Sequence, residues 1–400
     1  MKYTLTTLSP IHIGNGDQIS NWSYGYDEKE KLISVYDFDK VVKALKNNPQ
    51  RLLNLSAEIE RNPLNKSLGK ILKNYNLNLN PEYKIKIRGE IKNRRYKHIW
   101  EFIKENGKVY IPGTEIKGAI RTALFYKILK DKFKENTKLK EQFLKEYEKC
   151  LDVKNYRDDK DRKKQIQKKF SNLEKRWESI VFRAGFEKVF DKEFKFEDAK
   201  KDILKILLIS DSNFKNPEEV LEVKDITPIG VSKKFKDLHE IVKTSSKFYI
   251  DMRIPFQNEY KEIFPETYKY LGMKKLREAC SDFAISLLEA DIEYLKKTEE
   301  LEPKIKSEII KRLEQRKEIA QIAIETQDPQ KKYFLLRLGK HQGFLSTTIN
   351  LLVKELDSDL YSKAYKYLVH IGYPEFPNKS RKITIDNELL GWCVLIPKTT

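Results

Sequence analysis

Tyr110-Ile-Pro-Gly-Thr-Glu-Ile-Lys-Gly-Ala-Ile-Arg-Thr122 is the stretch on which the fold turns. Pro-Gly stops a strand, and Thr114 is a residue type suited to cap the helix expected from about Glu115 to Leu129. Lys117 falls in the first turn, and Arg121, four residues on, shares its face. Gly118 lies between them, although glycine inside a helix costs about 1 kcal/mol relative to alanine. That cost suggests that something approaches the face closely. Free N–H groups and the positive dipole end at such a helix start suit a phosphate. An ordinary amphipathic helix start is the competing reading.

Upstream, Tyr3–Leu8 alternates like a strand before Ser9-Pro10. Ser23–Tyr26 and Leu32–Tyr36 read as a hairpin, after which Asp39 is expected to cap a helix through Leu45. A polar, Asn-rich stretch to about residue 80 carries no clear pattern. Asn106-Gly107 between apolar flanks is a hairpin signal. Downstream, 131–200 reads as helical and Lys-rich, an insertion or elaborated face and not a core element. Its basic run from Lys154 to Arg176 fits a solvated helix face. Ile203–Ile209 looks like a buried strand, and Asp211 in Asp-Ser-Asn like a turn cap. Beyond residue 216 come strands at 220–231, 248–254, 333–338, 383–385 and 392–396, with long helices near 266–297 and 303–326. The expected class is α+β: two RRM-like βαββαβ domains, 1–215 carrying the helical insertion and 216–400 carrying the two long helices.

Two further segments combine glycine with polar groups. Ser9-Pro-Ile-His-Ile-Gly-Asn-Gly16 places His12 and Asn15 around Gly14 and Gly16, whose backbone can turn N–H groups toward an anion. Arg337-Leu-Gly-Lys-His-Gln-Gly343 repeats that logic, with Lys340, His341 and Gln342 held between Gly339 and Gly343. Arg94, Arg95 and Lys97 interleave with Tyr96 and Trp100, a pattern suited to stacked bases and held phosphates or, equally, to a charged surface arm.

Lys and Arg number 79 against 60 Asp and Glu, a formal net charge of +19, which favours a polyanionic partner. No apolar run reaches the roughly 18 residues a membrane span needs. Cys150, Cys280 and Cys393 are far apart with no CxxC, so neither a disulfide framework nor a zinc site is indicated, and a reducing, cytoplasmic location is expected. No metal and no cofactor is expected, since the histidines lack HxxxH or HExxH spacing. For metal-independent RNA cleavage, His12 and His341 are the only reasonable acid–base pair, and RNA stacking or hydrogen bonding is the commoner use of such residues.

The succession LSPIHIGNG (8–16), YIPGTEIKGAIRTAL (110–124), ISDS (209–212), LRLGKHQGFLSTT (336–348) and PNKSRKI with a following GW (377–383, 391–392) resembles the RAMP family of CRISPR effector proteins. Within that family it is most similar to the type III-A Csm-complex subunit that caps the 3′ end of the guide RNA. The resemblance spans nearly the whole chain, with weak stretches at 45–80 and 131–200. It implies RRM-like domains, crRNA binding near the 3′ end, termination of a filament of backbone RAMP subunits, and a contribution to crRNA maturation without being its nuclease. It implies as partners crRNA and the neighbouring backbone subunit, with accessory nucleases as further candidates. The family's glycine-loop role would fall on Gly339 and Gly343, and its RNA-facing helix on Lys117, Gly118 and Arg121. The loop here carries Lys-His-Gln where relatives are richer in glycine and serine. Target-RNA cleavage by backbone RAMP subunits uses a loop aspartate after the first strand, and Asp17, Asp27 and Asp37 do not stand in that context.

Overall fold

In the computed structural model the described residues are 1–61, 68–89, 98–191, 193–194, 197–229, 237–255, 261, 264–299, 301–328, 331–368 and 381–398. The strands, in chain order, are β1 (Lys2–Thr7), β2 (Gly14–Ile19), β3 (Tyr24–Asp27), β4 (Leu32–Val35), β5 (Tyr83–Arg88), β6 (Ile99–Phe102), β7 (Lys104–Glu105) and β8 (Lys108–Val109). They continue with β9 (Leu208–Ile209), β10 (Leu221–Pro228), β11 (Asp237–Val242), β12 (Lys247–Arg253), β13 (Phe334–Arg337), β14 (Lys382–Thr384) and β15 (Trp392–Pro397).

Alternation decides where β1 sits. Tyr3 and Leu5 are buried while Thr4 and Thr6 point outward, and β12 follows the same period with Phe248, Ile250 and Met252 inward. One sheet therefore runs β13-β15-β1-β12-β9, antiparallel throughout. The other runs β2-β6-β11-β10-β5-β4-β3, with β14 added along β10. Its β10–β5 and β11–β6 pairs are parallel. Asn106 and Gly107 both have positive φ (50° and 74°), so the β7–β8 turn twists with its strands as the Asn-Gly signal requires. The architecture is α+β. Both sheets draw strands from either side of residue 215, so the N- and C-terminal halves share one hydrophobic core.

Helices Gly113–Glu135 and Met273–Lys297 pack against each other, and Pro303–Glu325 packs on the second of them. Several local expectations are corrected. Asp37, not Asp39, caps the first helix, accepting a hydrogen bond from the Asp39 N–H. The Asn-rich stretch contains helices Pro49–Arg61 and Leu68–Asn74, which bury Leu55, Leu68 and Leu72 against Val41 and Leu45 in a small separate core. Ile203–Ile206 is a 3₁₀ turn, leaving β9 only two residues long. The 131–200 region is not a surface elaboration. Phe143 and Trp177 are fully buried with their rings 5.1 Å apart, and Phe133 completes the cluster. Each such ring removed from water stabilises the fold by about 1.5–3 kcal/mol. The Lys-rich residues are the outer face of helices whose inner face is core.

Candidate RNA interface

The loop after β13 is held by backbone contacts that only glycine permits. Gly339 has φ +80°, and a Cβ there would fall on the His12 carbonyl oxygen. That same carbonyl accepts the Lys340 N–H at 2.8 Å. Gly391, at φ +100°, closes the other side: the Leu338 N–H donates to its carbonyl at 2.8 Å, and a Cβ would lie 2.6 Å from the Leu338 oxygen. The Gly391 N–H in turn donates to the Pro10 carbonyl at 2.9 Å. The segments around His12 and around Gly339–Gly343, read from sequence as two separate loops, thus form one site.

Three histidines meet beneath it. His12 Nδ1 lies 2.7 Å from the Glu240 carbonyl oxygen and His239 Nδ1 lies 3.1 Å from that of Asp237, so both nitrogens carry the proton and donate. The His239 Nε2 is then a lone pair, and His341 Nε2, 3.0 Å away, must be its donor. This leaves His341 Nδ1 as an acceptor. His12 stacks on His341 with ring centroids 6.0 Å apart, and Trp100 stacks on His239 at 6.1 Å with Lys340 above the indole. Burial is the largest cause holding all three imidazoles neutral: His12 is pushed down to about 4, His239 to about 2 and His341 to about 3. The Lys340 and Lys382 charges add to this for both His12 and His341. Among the described residues no group of three His, Cys, Asp or Glu is placed to hold a metal ion.

The sequence-expected residues divide by exposure. Lys340 is exposed, and His341, Gln342 and Gly343 are half-buried at the surface. Gln342 braces the loop by donating to the Gly339 carbonyl at 2.7 Å. Asn15 and Gly16 lie exposed in the irregular start of β2, where the pairing register with β6 shifts between Gly14 and Gln18 and the Asn15 side chain bonds Asp17. Gly14 leaves room for His12 Nε2 and the Lys340 ammonium, which would lie 2.9 and 3.1 Å from a Cβ there. His12 itself is 0% exposed and cannot touch a ligand directly. Arg337, expected from sequence among the RNA contacts of this loop, is buried and cannot reach a ligand: its Nη1 pairs with Asp291 Oδ2 at 2.7 Å and its Nε donates to the Leu390 carbonyl. Arg381 pairs with the other Asp291 oxygen at 2.6 Å. Burial alone would raise the Asp291 carboxyl, but the two guanidiniums outweigh it and hold it low. This triad anchors the floor of the loop.

The helix Gly113–Glu135 forms a second locus. Its N-cap position is Pro112, and Thr114 lies inside the first turn, so the expected threonine cap is absent. The Gly113 N–H is instead met by Asp211 Oδ1 at 2.7 Å, a partner far away in sequence. Lys117 lines a cleft of about 700 Å³ with Thr114, Ser210, Asp251 and Arg253. Gly118 presents open space, with nothing within 4 Å of a notional Cβ. Arg121 is committed elsewhere: it pairs with Asp202 at 2.9 Å and Glu178 at 3.4 Å, over the Phe182 ring. Arg94, Arg95 and Lys97 lie outside the described residues. Sequence reasoning missed His239, Lys382 and Gly391 as parts of the site; an isolated histidine on a strand signals nothing until pairing brings it to the loop.

No helix among the described residues is long and apolar enough to cross a membrane. The chain is 28% identical over 275 residues to a Methanocaldococcus jannaschii protein described as CRISPR system Cms protein Csm5, the match covering 64% of each chain. It thus spans just under two thirds of that relative's length. The crystal structure of T. onnurineus Csm5 superposes with a TM-score of 0.66 at 24% identity, covering 98% of this chain and 99% of that one. A chain of a cryo-EM Csm–crRNA–target RNA ternary complex superposes with a TM-score of 0.69 at 22% identity, covering 99% and 100%. The RAMP superfamily model matches residues 4–322, four-fifths of the sequence, and the chain belongs to the RAMP superfamily.

Proposed function

We propose that the chain is a non-catalytic crRNA-binding subunit of a type III-A CRISPR (Csm) effector complex. In this reading it caps the backbone filament at the crRNA 3′ end and contributes to crRNA maturation and antiviral defence. The observation that carries it is the glycine-clamped loop 339–343, which presents Lys340, His341 and Gln342 over a rigid floor. A lysine there meets a phosphate as a point charge, and the His341 Nδ1 lone pair accepts from a ribose 2′-OH. Neither contact reads a base, as a subunit that must accept any guide requires. Lys117, beside the open Gly118 surface, supplies a second phosphate contact; buried Arg337 and His12 act as supports. The neighbouring backbone RAMP subunit is the expected protein partner, with accessory nucleases as further ones. Nuclease footprinting of crRNA in the reconstituted complex, with and without this chain, tests the assignment. Protection at the 3′ end supports it; protection at the 5′ tag would make the chain a different RAMP subunit.

The competing enzymatic reading would use His12 and His341 as acid and base. Burial of His12 and its bond to the Glu240 carbonyl argue against it. A discrete cut in repeat RNA incubated with the protein in EDTA, abolished by His341→Ala, would restore it.

A further inference from the structure

Arg312 and Arg316 stand one turn apart on helix Pro303–Glu325, where side chains four residues apart share a face. Arg316 is 6% exposed, and its only hydrogen bond among the described residues runs from Nη2 to the Leu8 carbonyl at 3.0 Å. Its Nε and Nη1 have no partner, yet neither is sealed off from the surface. Arg312 is half-buried and makes neither a hydrogen bond nor an ion pair among the described residues, and its Nη1 is enclosed without a partner.

Arginine is seldom buried unless it is paired. The usual solution stands close by, where Arg337 and Arg381 share the Asp291 carboxylate. No acid does this for Arg316. Asp291 is spent on that pair, and Glu388, the other carboxylate acting on Arg316, is held by Lys224 and the Thr244 hydroxyl, each at 3.4 Å. Burial pulls the Arg316 guanidinium down to about 10, and the charges of Arg337 and Arg312 press the same way. Arg277, also buried without an ion pair, has Glu278 acting in its favour.

Two like charges at this spacing cost the helix stability, and a desolvated, unpaired one costs more. An anion resting on both would relieve both. Every free group here is a donor, and guanidinium forks match the oxygens of a tetrahedral oxyanion. The net charge of +19 favours phosphate over a carboxylate. The place fits as well. Leu8 follows β1 and leads to His12, while Arg337 ends β13 just before Gly339. Trp392 pairs with Arg337, and its carbonyl takes the Leu8 N–H, so the arginines lie at the end of the sheet from which both loop segments leave.

We propose that Arg312 and Arg316 form a phosphate seat, taking either a backbone phosphate of bound RNA or free inorganic phosphate. The RNA case rests on the RNA-binding reading above; the inorganic-phosphate case does not.

Two measurements on the full-length protein test the seat and separate the sources. One is thermal unfolding in sodium phosphate, acetate and chloride at matched ionic strength. The other is anisotropy of a labelled oligouridine of roughly ten nucleotides across potassium chloride concentrations. The variants are Arg312→Gln, at the half-buried position, and Arg316→Lys, which keeps the charge but loses the fork. A saturable rise in Tm with phosphate over chloride, about 2 °C or more in the wild type and much smaller in the variants, supports free phosphate. An oligouridine log–log salt slope about one unit shallower in Arg312→Gln supports an RNA phosphate. If the wild type binds no oligouridine, the RNA-binding reading fails and the phosphate titration alone decides the seat. Acetate protecting as well as phosphate overturns the proposal, since the seat would then take a carboxylate such as a partner protein supplies. Wild-type behaviour of both variants in both measurements, with circular dichroism unchanged, also overturns it.

Discussion

At Gly339 the loop and the His12 strand touch through bare backbone. Gly339→Ala places a methyl group against a carbonyl oxygen at φ +80°, so it is expected to cost at least about 2 kcal/mol. It should also weaken RNA binding, because the loop can no longer sit on its floor. Urea denaturation and fluorescence anisotropy with crRNA check the two effects. Gly118→Ala is the contrast: with open space around it, folding stability should rise or hold while only ligand approach suffers. The histidines make a separate prediction. Their folded-state pKa values lie below the ordinary 6.5, so the unfolded chain binds more protons in between and acidification favours unfolding. Stability owed to keeping them neutral is complete above about pH 6.5. It falls by up to about 1.4 kcal/mol per pH unit per imidazole down toward pH 4. His12→Asn, which can keep the bond to Glu240, should shallow that slope in urea midpoints measured from pH 7.5 to 4.5. An unchanged slope would show that the cluster does not titrate in this way.

Helix Gly113–Glu135 separates two residues that spacing alone makes equivalent. Lys117 and Arg121 share a helical face, yet Arg121 is spent on Asp202 and Glu178 while Lys117 opens into a cleft. Lys117→Ala should therefore lower RNA affinity and reduce the log–log salt slope by about one unit. Arg121→Ala should chiefly cost stability. The buried triad belongs to the same scale, since Asp291 ties helix Met273–Lys297 to β13 and to the start of β14 through Arg337 and Arg381. Asp291→Asn leaves two buried cations without their counterion and is expected to cost about 3–5 kcal/mol, measured by chemical denaturation. Elements of this kind were legible wherever the signal was local. The Asn-Gly hairpin, the helix after Pro112-Gly113 and the helix after Pro303 all form close to where spacing puts them. Asp211 reads from sequence as a turn cap, but its bond to the remote Gly113 N–H and the core role of Phe143 and Trp177 were not legible, because each depends on a partner that sequence proximity does not reveal.

For the whole molecule, the chain's halves are interleaved. β1 pairs with both β12 and β15, and β10 and β11 lie beside β5 and β6. A boundary near residue 215 was suggested by a plausible turn at Asn216-Pro217, but local punctuation carries no information about strand pairing. The same pairing brings motifs more than three hundred residues apart into one candidate site, which is why His239 and Gly391 escaped notice while His12 and Gly339 did not. The RAMP resemblance rests on those motifs, and the assembled loop gives them a shared physical purpose. The most direct test is photo-crosslinking of 4-thiouridine-substituted crRNA in the reconstituted effector complex, with crosslinked peptides mapped by mass spectrometry. The account predicts crosslinks from nucleotides near the 3′ end to the peptide containing Lys340, His341 and Gln342, with a second set at the start of helix Gly113–Glu135. Crosslinks confined to other surfaces, or arising only from the 5′ tag, would contradict it.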